Sequence, residues 1–414
     1  MALAKIVDPA QRPYATTDHM WKWRHRYPHL GTGPVQVEPY VSPEYFARER
    51  DLIFRRAWLY MGRVEEIPRP GDYFVKTIEL LGVSLLFVRG DDGEIRGFHN
   101  VCRHRGSRLV DDTRGSVTAF TCPYHAFTYD RKGRLCGVPC KDYFYDLDRS
   151  RLSLAPVATD TWRGAIFASL EPRESLPEHL GELYPLYEGF PFEQFVVADR
   201  WRAVAHCNWK TLQDAFLEGF HASAFGLHKD SLGSVLVNLP NGVCDLPDIR
   251  LYARWHRGYS VVTNPRYQPW PTEGLALRHM GAERLMAVGG ELEKTPGVNP
   301  HRVKDWTFDA AFIFPNLDMI MGASFGVFRQ FWPVSVDRTV MEETMLFLPP
   351  ANAADRIAQE VNRSVLRDTF AQDIVTSESQ HASNRSGAIR ELQVSDLEIL
   401  LRHTLHVADE YMSS

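Results

Sequence analysis

The sequence predicts an α+β protein with a small antiparallel β domain, followed by a larger domain in which helices flank an antiparallel sheet. Three observations predict this fold. Short alternating runs separated by Gly and Asp turns occupy residues 72–170, strand-like runs return over 306–349, and helical patterns cover 209–224 and 352–411. The length of 414 residues fits this division, because domains average roughly 150 residues.

We divide the chain into an N-terminal arm (1–40), the small β domain (41–170) and the larger domain (171–414). The arm is rich in Trp, Arg, His, Tyr and Pro and shows no clear periodicity. After it, Ser42-Pro43 begins a capped amphipathic helix. The apolar face of this helix is predicted to contain Phe46, Leu52, Ile53 and Trp58.

Composition excludes several classes of protein. Hydrophobic residues make up 44% and charged residues 24%, which is ordinary globular usage and unlike a disordered chain. The net charge of −5 is spread without long blocks, so we expect no nucleic-acid partner. We also expect a cytoplasmic protein without a membrane span, because the sequence contains neither a signal-like start nor a long apolar run.

Two short sequences each combine one Cys with one His. They are Cys102-x-His104 and Cys122-x-x-His125, with 17 residues between His104 and Cys122. Two thiolates and two imidazoles hold either a tetrahedral zinc ion or a 2Fe–2S cluster. We favour the cluster because the sequences look like equivalent hairpin tips, whereas common zinc modules pair Cys-x-x-Cys with His-x-x-x-His. Zinc stays the alternative.

A second group of metal-ligand types lies between residues 208 and 228. If the helix predicted over 209–224 is continuous, Asp214, Glu218 and His221 fall on one face, and His228 follows. Two imidazoles and one carboxylate on one face of iron(II) leave positions open for dioxygen and substrate.

The carboxylate ligand has to come from elsewhere in the chain. Asp373 is the best candidate, because it lies in a helix-like stretch and is followed by Glu378. Asp368 is the weaker alternative.

These motifs resemble the catalytic α subunits of Rieske non-haem iron ring-hydroxylating oxygenases, and the resemblance extends over most of the chain. All four positions of the family's Cys-x-His and Cys-x-x-His pattern match. Asn208-Trp209-Lys210, the acidic residue Glu218 three positions before His221, and Phe314-Pro315-Asn316 also match. The resemblance implies a 2Fe–2S cluster on Cys102, His104, Cys122 and His125, Fe(II) on His221, His228 and Asp373, and an electron bridge at Glu218, with Asp214 close enough to share that role.

One position departs from the family pattern. Six residues separate His221 from His228, where the family usually has four, and the residue at the usual position is Gly226, which cannot bind a metal. We expect that the connecting turn is two residues longer and that His228 still reaches the metal, since loops tolerate insertions. His206 is the fallback ligand.

The chain has no Gly-x-Gly-x-x-Gly following a strand, so we expect it not to bind a nicotinamide cofactor itself. The resemblance implies electrons from NAD(P)H through a separate reductase, with or without a ferredoxin, and a homotrimer with or without a small β subunit. It implies hydroxylation, above all dihydroxylation, of an apolar aromatic or polycyclic compound with dioxygen. The alternatives are oxidative demethylation by the same machinery and a protein that only carries electrons.

The substrate pocket is the least specific prediction. The second motif and the aromatic segment after it supply apolar side chains suited to an aromatic ring, although such residues are more often plain core. The predicted lining residues are Asn208, Leu212, Phe216, Phe220, Phe225 and Phe314.

Overall fold

The computed structural model describes residues 22–229, 236, 238–239, 242–252, 254–262, 264, 271, 296–322 and 324–414. Most of the predicted arm lies outside these residues, since 1–21 are not among them. The described chain begins with α1 (Lys22–Arg26), a 3-10 turn (Pro28–Leu30), β1 (Val35–Gln36), α2 (Glu38–Val41) and α3 (Pro43–Arg48), which continues into a π-helical segment (Glu49–Phe54).

The capped helix predicted after the arm is present. Ser42 Oγ accepts a hydrogen bond of 3.0 Å from the Tyr45 amide and caps α3. The buried side chains of this segment are those of Tyr45, Glu49, Ile53 and Phe54. The predicted face is therefore displaced, because Phe46 and Leu52 are only half-buried and a charged residue takes a core position.

The small β domain contains a seven-stranded antiparallel sheet in the order β2-β11-β10-β5-β4-β3-β6. A separate three-stranded sheet, β7-β8-β9, carries the second Cys/His sequence next to β7. The strands are β2 (Leu59–Arg63), β3 (Asp72–Ile78), β4 (Val83–Arg89), β5 (Ile95–His99), β6 (Arg114–Ser116), β7 (Phe120–Thr121), β8 (Thr128–Tyr129), β9 (Leu135–Gly137), β10 (Pro156–Trp162) and β11 (Ala165–Ser169).

The larger domain begins after β11 and is built on a second seven-stranded antiparallel sheet, in the order β12-β18-β17-β16-β15-β14-β13. Helices flank it, so the predicted α+β fold class is confirmed. Its elements are α4 (Leu176–Leu180), β12 (Val196–Ala205), α5 (Trp209–Asp214), β13 (Asp248–Leu251), β14 (Arg257–Val262), β15 (Trp306–Ile313), β16 (Leu317–Gly322), β17 (Phe325–Ser335), β18 (Arg338–Phe347), α6 (Ala353–Arg385), β19 (Glu391–Leu392) and α7 (Ile399–Ser413). Strand β19 pairs with β1.

The two faces of the second sheet have different neighbours. One face shares a hydrophobic cluster with residues of α5 and α6, including Leu212 and Phe370. Residues of the opposite face, such as Phe328, pack with Tyr60 and Phe167 of the small domain. Ion pairs also join the two domains, for example Arg200 with Glu66 at 2.8 Å. The sheet therefore lies between α5 and α6 on one face and part of the small domain on the other.

Three helix and strand predictions were wrong in extent. The helix predicted over 209–224 is shorter than expected: it ends at Asp214, and the chain continues in turns. The helical segment predicted over 352–411 is divided into α6 and α7. Strands β13 and β14 lie between the predicted helix and the strand-like runs of 306–349, where the sequence patterns above indicate no strand. Among the described residues, no helix combines the length and apolar character needed to cross a membrane.

Candidate active site

The two Cys/His sequences form loops of the same backbone geometry. In each loop the Cys amide donates to the carbonyl five residues later, from Cys102 to Ser107 and from Cys122 to Phe127, both at 2.8 Å. The residue four positions after the Cys, Gly106 or Ala126, has a positive φ and donates its amide to the Cys carbonyl. The predicted equivalence of the two loops is therefore visible in their hydrogen bonds.

The four predicted cluster ligands lie together. Cys102 and Cys122 are both buried and close enough for their thiols to interact. The rings of His104 and His125 have centroids 4.8 Å apart. The Nδ1 atom of His104 is buried, and no hydrogen bond satisfies it within the described residues. Because a buried imidazole nitrogen needs a partner, this donor set fits a 2Fe–2S cluster.

Tyr129 is a residue of this site that sequence reasoning missed. Its hydroxyl accepts a hydrogen bond of 3.0 Å from the Arg103 amide and lies 3.4 Å from Cys102 Sγ. The hydroxyl proton is thus free to point towards the sulfur, and a hydrogen bond to a cluster thiolate raises the reduction potential. No local motif marks this tyrosine, because only the pairing of β8 brings it under the first loop.

The second predicted metal site also converges. One ligand atom from each of His221, His228 and Asp373 can be chosen so that all three lie within 4.8 Å of one another. Asp373 Oδ1 lies 3.6 Å from Nε2 of His221 and 2.9 Å from Nε2 of His228. The longer turn before His228 therefore does not prevent it from reaching the other two residues, and the three donors fit a facial site for iron(II).

The opposite nitrogens of both imidazoles have fixed partners. Nδ1 of His221 lies 2.6 Å from Glu218 Oε1, and the other oxygen of Glu218 accepts from the His221 amide at 3.0 Å. Nδ1 of His228 lies 3.0 Å from Gln372 Oε1, a contact that sequence reasoning missed. Both oxygens are acceptors, and a proton on each Nδ1 would make each Nε2 the nitrogen that binds a metal.

The position of Asp373 follows from the periodicity of α6. The buried residues of its C-terminal half are spaced by three or four positions and form one inward stripe: Phe370, Asp373, Ser377, His381 and Asn384. Asp368 is exposed and pairs with the neighbouring Arg367. His206, the fallback ligand, is exposed, and its amide donates to Glu378. Neither alternative belongs to the triad.

The turn between the two histidines depends on a close backbone approach. His228 N donates to the His221 carbonyl at 3.4 Å, and Gly226 packs against that same carbonyl. A Cβ atom on Gly226 would lie 2.1 Å from His221 O, a distance that real contacts do not reach. Glycine is thus required where the family usually has its second histidine.

We expect Gly226→Ala to displace His221 or His228 and to weaken iron binding by about 10-fold or more, as for other changes that misorient metal ligands. Gly33→Ala is the matched control, because Gly33 has an ordinary φ and no atom within 4 Å of its added Cβ. The measurement is ferrous ion affinity of both variants. Equal affinity in the two variants would contradict the role assigned to this turn.

The Asn208-Trp209-Lys210 motif builds the start of α5. Asn208 caps the helix through a hydrogen bond of 3.0 Å from the Lys210 amide to its Oδ1. Trp209 and Lys210 both bind the buried carboxylate of Glu49, at 3.1 and 2.6 Å. Asn208 therefore has a capping role that the pocket prediction did not anticipate.

Asp214 and Glu218 do not share one helical face. Asp214 is the last residue of α5 and accepts a hydrogen bond of 2.7 Å from the Tyr40 hydroxyl. Burial raises the pKa of Asp214 to about 7. Glu218 lies beyond the end of the helix and binds His221. The carboxylate pair of the predicted stripe is thus separated, and only Glu218 contacts a triad histidine.

The predicted pocket residues fall into three groups. Leu212 and Phe216 are buried in the cluster between the second sheet and the helices. Phe220 and Phe225 are exposed and contact each other, with ring centroids 5.9 Å apart. Phe314 was placed wrongly with them, because it packs in another cluster against Tyr411.

Two family models match the chain. The ring hydroxylating alpha subunit (catalytic domain) family matches residues 192–414, and the Rieske [2Fe-2S] domain family matches residues 57–152. The first match covers more than half of the chain, so this chain belongs to the ring hydroxylating alpha subunit family. Membership implies a 2Fe–2S cluster and a mononuclear Fe(II), and both donor sets described above fit these groups.

Particular relatives act on different substrates. The chain is 35% identical over 237 residues to a glycine betaine monooxygenase oxygenase subunit of Chromohalobacter salexigens, covering 57% of this chain and 51% of that protein. It is 28% identical over 366 residues to a chlorobenzene dioxygenase subunit alpha of Cupriavidus sp., covering 82% and 76%. The chain thus spans about half the length of the first relative and about three quarters of the second.

Solved structures show the same fold. Naphthalene 1,2-dioxygenase from Rhodococcus sp. superposes with a TM-score of 0.73 at 24% identity, covering 94% of this chain and 96% of that one. A quaternary ammonium Rieske monooxygenase superposes with a TM-score of 0.71 at 19% identity, covering 91% and 95%. At these identities the likeness establishes the fold and leaves the substrate open.

Proposed function

We propose that this chain is the terminal oxygenase component of a Rieske oxygenase system. The observation that carries the proposal is the convergence of His221, His228 and Asp373 in a chain that also holds the four cluster donors. A 2-His-1-carboxylate site supplies iron(II) with open positions for dioxygen and substrate, and the cluster supplies electrons singly. A protein that only carries electrons would need no such triad.

The chain's own residues have separate tasks in this proposal. Glu218 and Gln372 hold the Nδ1 protons of the two histidines, so that both Nε2 atoms face Asp373. Cys102, His104, Cys122 and His125 hold the cluster, with His104 and His125 reaching nearer the surface than the buried thiols. Electrons come from NAD(P)H through a separate reductase, with or without a ferredoxin.

Exposed apolar side chains surround both sites. Tyr124 and Tyr143, near the cluster loops, are 55% and 86% exposed, and Phe225, near the triad, is 51% exposed. Exposed apolar patches of this kind mark interaction surfaces. We propose that the cluster surface of one subunit covers the triad surface of the next. Two different patches in contact close into a ring, which fits a homotrimer, with or without a small β subunit.

We propose an apolar aromatic compound as the substrate, with dihydroxylation as the reaction. Phe216, Phe331 and Phe370 pack with Leu212 beside the segments that carry the triad, and apolar surroundings of this kind suit an uncharged ring. Oxidative demethylation of a quaternary ammonium compound is the second candidate. It is favoured by the 35% identity to a glycine betaine monooxygenase subunit.

A single-turnover experiment tests the proposal without the partner reductase. The anaerobic protein is reduced chemically, freed of reductant and mixed with labelled dioxygen and either naphthalene or glycine betaine. A diol with two labelled oxygens supports dihydroxylation, and formaldehyde supports demethylation. If the reduced, iron-loaded protein oxygenates neither probe and its cluster is not reoxidised faster when either is present, the proposal is contradicted.

Glu218 gives a prediction about electron transfer. Glu218→Gln keeps an acceptor for His221 but removes the charge, so we expect both metals to remain and cluster-to-iron electron transfer to slow by about 10-fold or more. Stopped-flow absorption of the cluster measures this rate. Glu182→Gln, a change of the same type on a surface residue of the same domain, is the control. An unchanged rate in Glu218→Gln would remove Glu218 from the electron path.

A further inference from the structure

Arg329 lies at the centre of the second sheet and is fully buried. On β17 it is directly opposite Asp318 of β16 and Glu343 of β18. Its guanidinium donates to Asp318 at 2.7 Å and to Glu343 at 2.9 Å, and all three side chains have no exposed surface. The carboxylates of the two neighbouring strands thus compensate the buried charge. These two hydrogen bonds hold the guanidinium in one place on the sheet.

The same guanidinium also contacts two aromatic rings from the segments that carry the triad, and the planes of these rings make an angle of 72° with each other. The centroids of the Phe216 and Phe370 rings lie 3.9 and 4.0 Å from Arg329 Cζ. At this separation the guanidinium cation is attracted to both aromatic rings. Phe216 comes two residues before Glu218, and Phe370 lies one helical turn before Asp373. One side chain therefore touches both segments that deliver triad residues.

We propose that Arg329 is a positioning residue of the iron site, which sets the separation of the His221 segment from the Asp373 helix. The inference rests on the proposed function, since it concerns the same triad. Arg329 acts through Phe216 and Phe370: within the described residues, no hydrogen bond or ion pair joins it to a triad residue. A guanidinium suits this position, because its several donors in a fixed geometry reach both carboxylates while the cation stays in contact with both rings.

Arg329→Lys tests the inference, because lysine keeps the charge but lacks the guanidinium that contacts both rings and both carboxylates at once. Arg63→Lys is a closely matched control. Arg63 is also buried, lies near the rings of Phe192 and Phe328 at 5.4 and 5.5 Å, and pairs with Glu65, but it belongs to the small domain and, among its described contacts, touches no segment that carries a triad residue. Both variants are compared with the wild type in thermal stability, ferrous ion affinity and the spectrum of the iron nitrosyl complex.

We expect both substitutions to lower the melting temperature and to leave the cluster spectrum unchanged. Only Arg329→Lys should weaken ferrous ion binding, by about 10-fold to 100-fold, the range seen when residues that orient metal ligands are changed. It should also broaden the nitrosyl signal. Phe370→Leu removes one ring without leaving a charge unpaired and should also weaken ferrous ion binding. It replaces Arg329→Lys in the test if Arg329→Lys does not fold.

The inference is overturned if Arg329→Lys, or Phe370→Leu in its place, binds iron as tightly as the wild type. It is also overturned if Arg63→Lys loses iron affinity equally, since the effect would then be general destabilisation. Failure of the proposed function can be distinguished from failure of this inference, because in the former case the wild type itself would bind no ferrous ion at the triad.

Discussion

Asp373→Ala is expected to abolish iron-dependent turnover while leaving the cluster intact. Asp373 is the only carboxylate of the triad, and its Oδ1 lies near Nε2 of both histidines. Two imidazoles alone hold iron(II) poorly, so we expect the variant to lose its mononuclear iron and more than about 100-fold in turnover, beyond the loss typical of residues that only orient ligands. The cluster donors lie in the other domain and should be unaffected.

Asp368→Ala is the matched control for this change. Asp368 lies on the same helix, is exposed and pairs only with Arg367 at 3.1 Å among its described contacts. Its removal should change stability by less than about 0.5 kcal/mol and leave iron and turnover unchanged. Iron content and product formation are measured for both variants. If Asp373→Ala kept its mononuclear iron and normal turnover, the ligand assignment would be wrong.

Lys210→Met is expected to destabilise the fold strongly. Lys210 and Glu49 form an ion pair of 2.6 Å in which neither side chain has exposed surface. Burial raises the pKa of Glu49 and lowers the pKa of Lys210, and each group offsets this effect on the other. Removing one partner leaves a buried charge without compensation, at a cost of about 3–5 kcal/mol.

The double variant Glu49→Gln/Lys210→Met separates the cost of the unpaired charge from the value of the pair. Because the uncompensated charge is gone, we expect it to be more stable than Lys210→Met alone. Arg50→Ala is the exposed control, since its pair with Asp51 is solvated and worth at most about 1 kcal/mol. Urea unfolding followed by tryptophan fluorescence measures all three. Wild-type stability of Lys210→Met would contradict this account.

The sequence predicted the parts of the site that local motifs encode. The four cluster ligands lie in two short loops, and the equivalence of those loops depends only on hydrogen bonds between residues close in sequence. His221 matches the family pattern, His228 follows it with two additional residues, and Asp373 lies on a helix whose inward stripe follows from its periodicity. The insertion before His228 was correctly expected to be absorbed by the turn, although the need for Gly226 became apparent only from its contact with His221.

The remaining contacts depend on tertiary structure. Tyr129 and Gln372 contact the two sites, and Arg329 contacts the segments that carry the triad, through strand pairing or helix packing that no spacing rule reveals. The helix predicted through Glu218 failed because propensity is a weak guide where packing decides. Gly219 packs against Cys244, and the chain leaves the helix before reaching it. The buried Glu49 was missed because charged residues are rarely expected in a core.

Metal and sulfide content, measured together with the electron paramagnetic resonance spectrum of the reduced protein, tests the central claim most directly. A chain that holds one 2Fe–2S cluster and one mononuclear iron should contain about three irons and about two acid-labile sulfides, with an anisotropic Rieske signal. Anaerobic purification, with ferrous ion added back, allows for a labile mononuclear site. Two irons that ferrous ion cannot raise to three would contradict the oxygenase, and zinc without sulfide would contradict both metal sites.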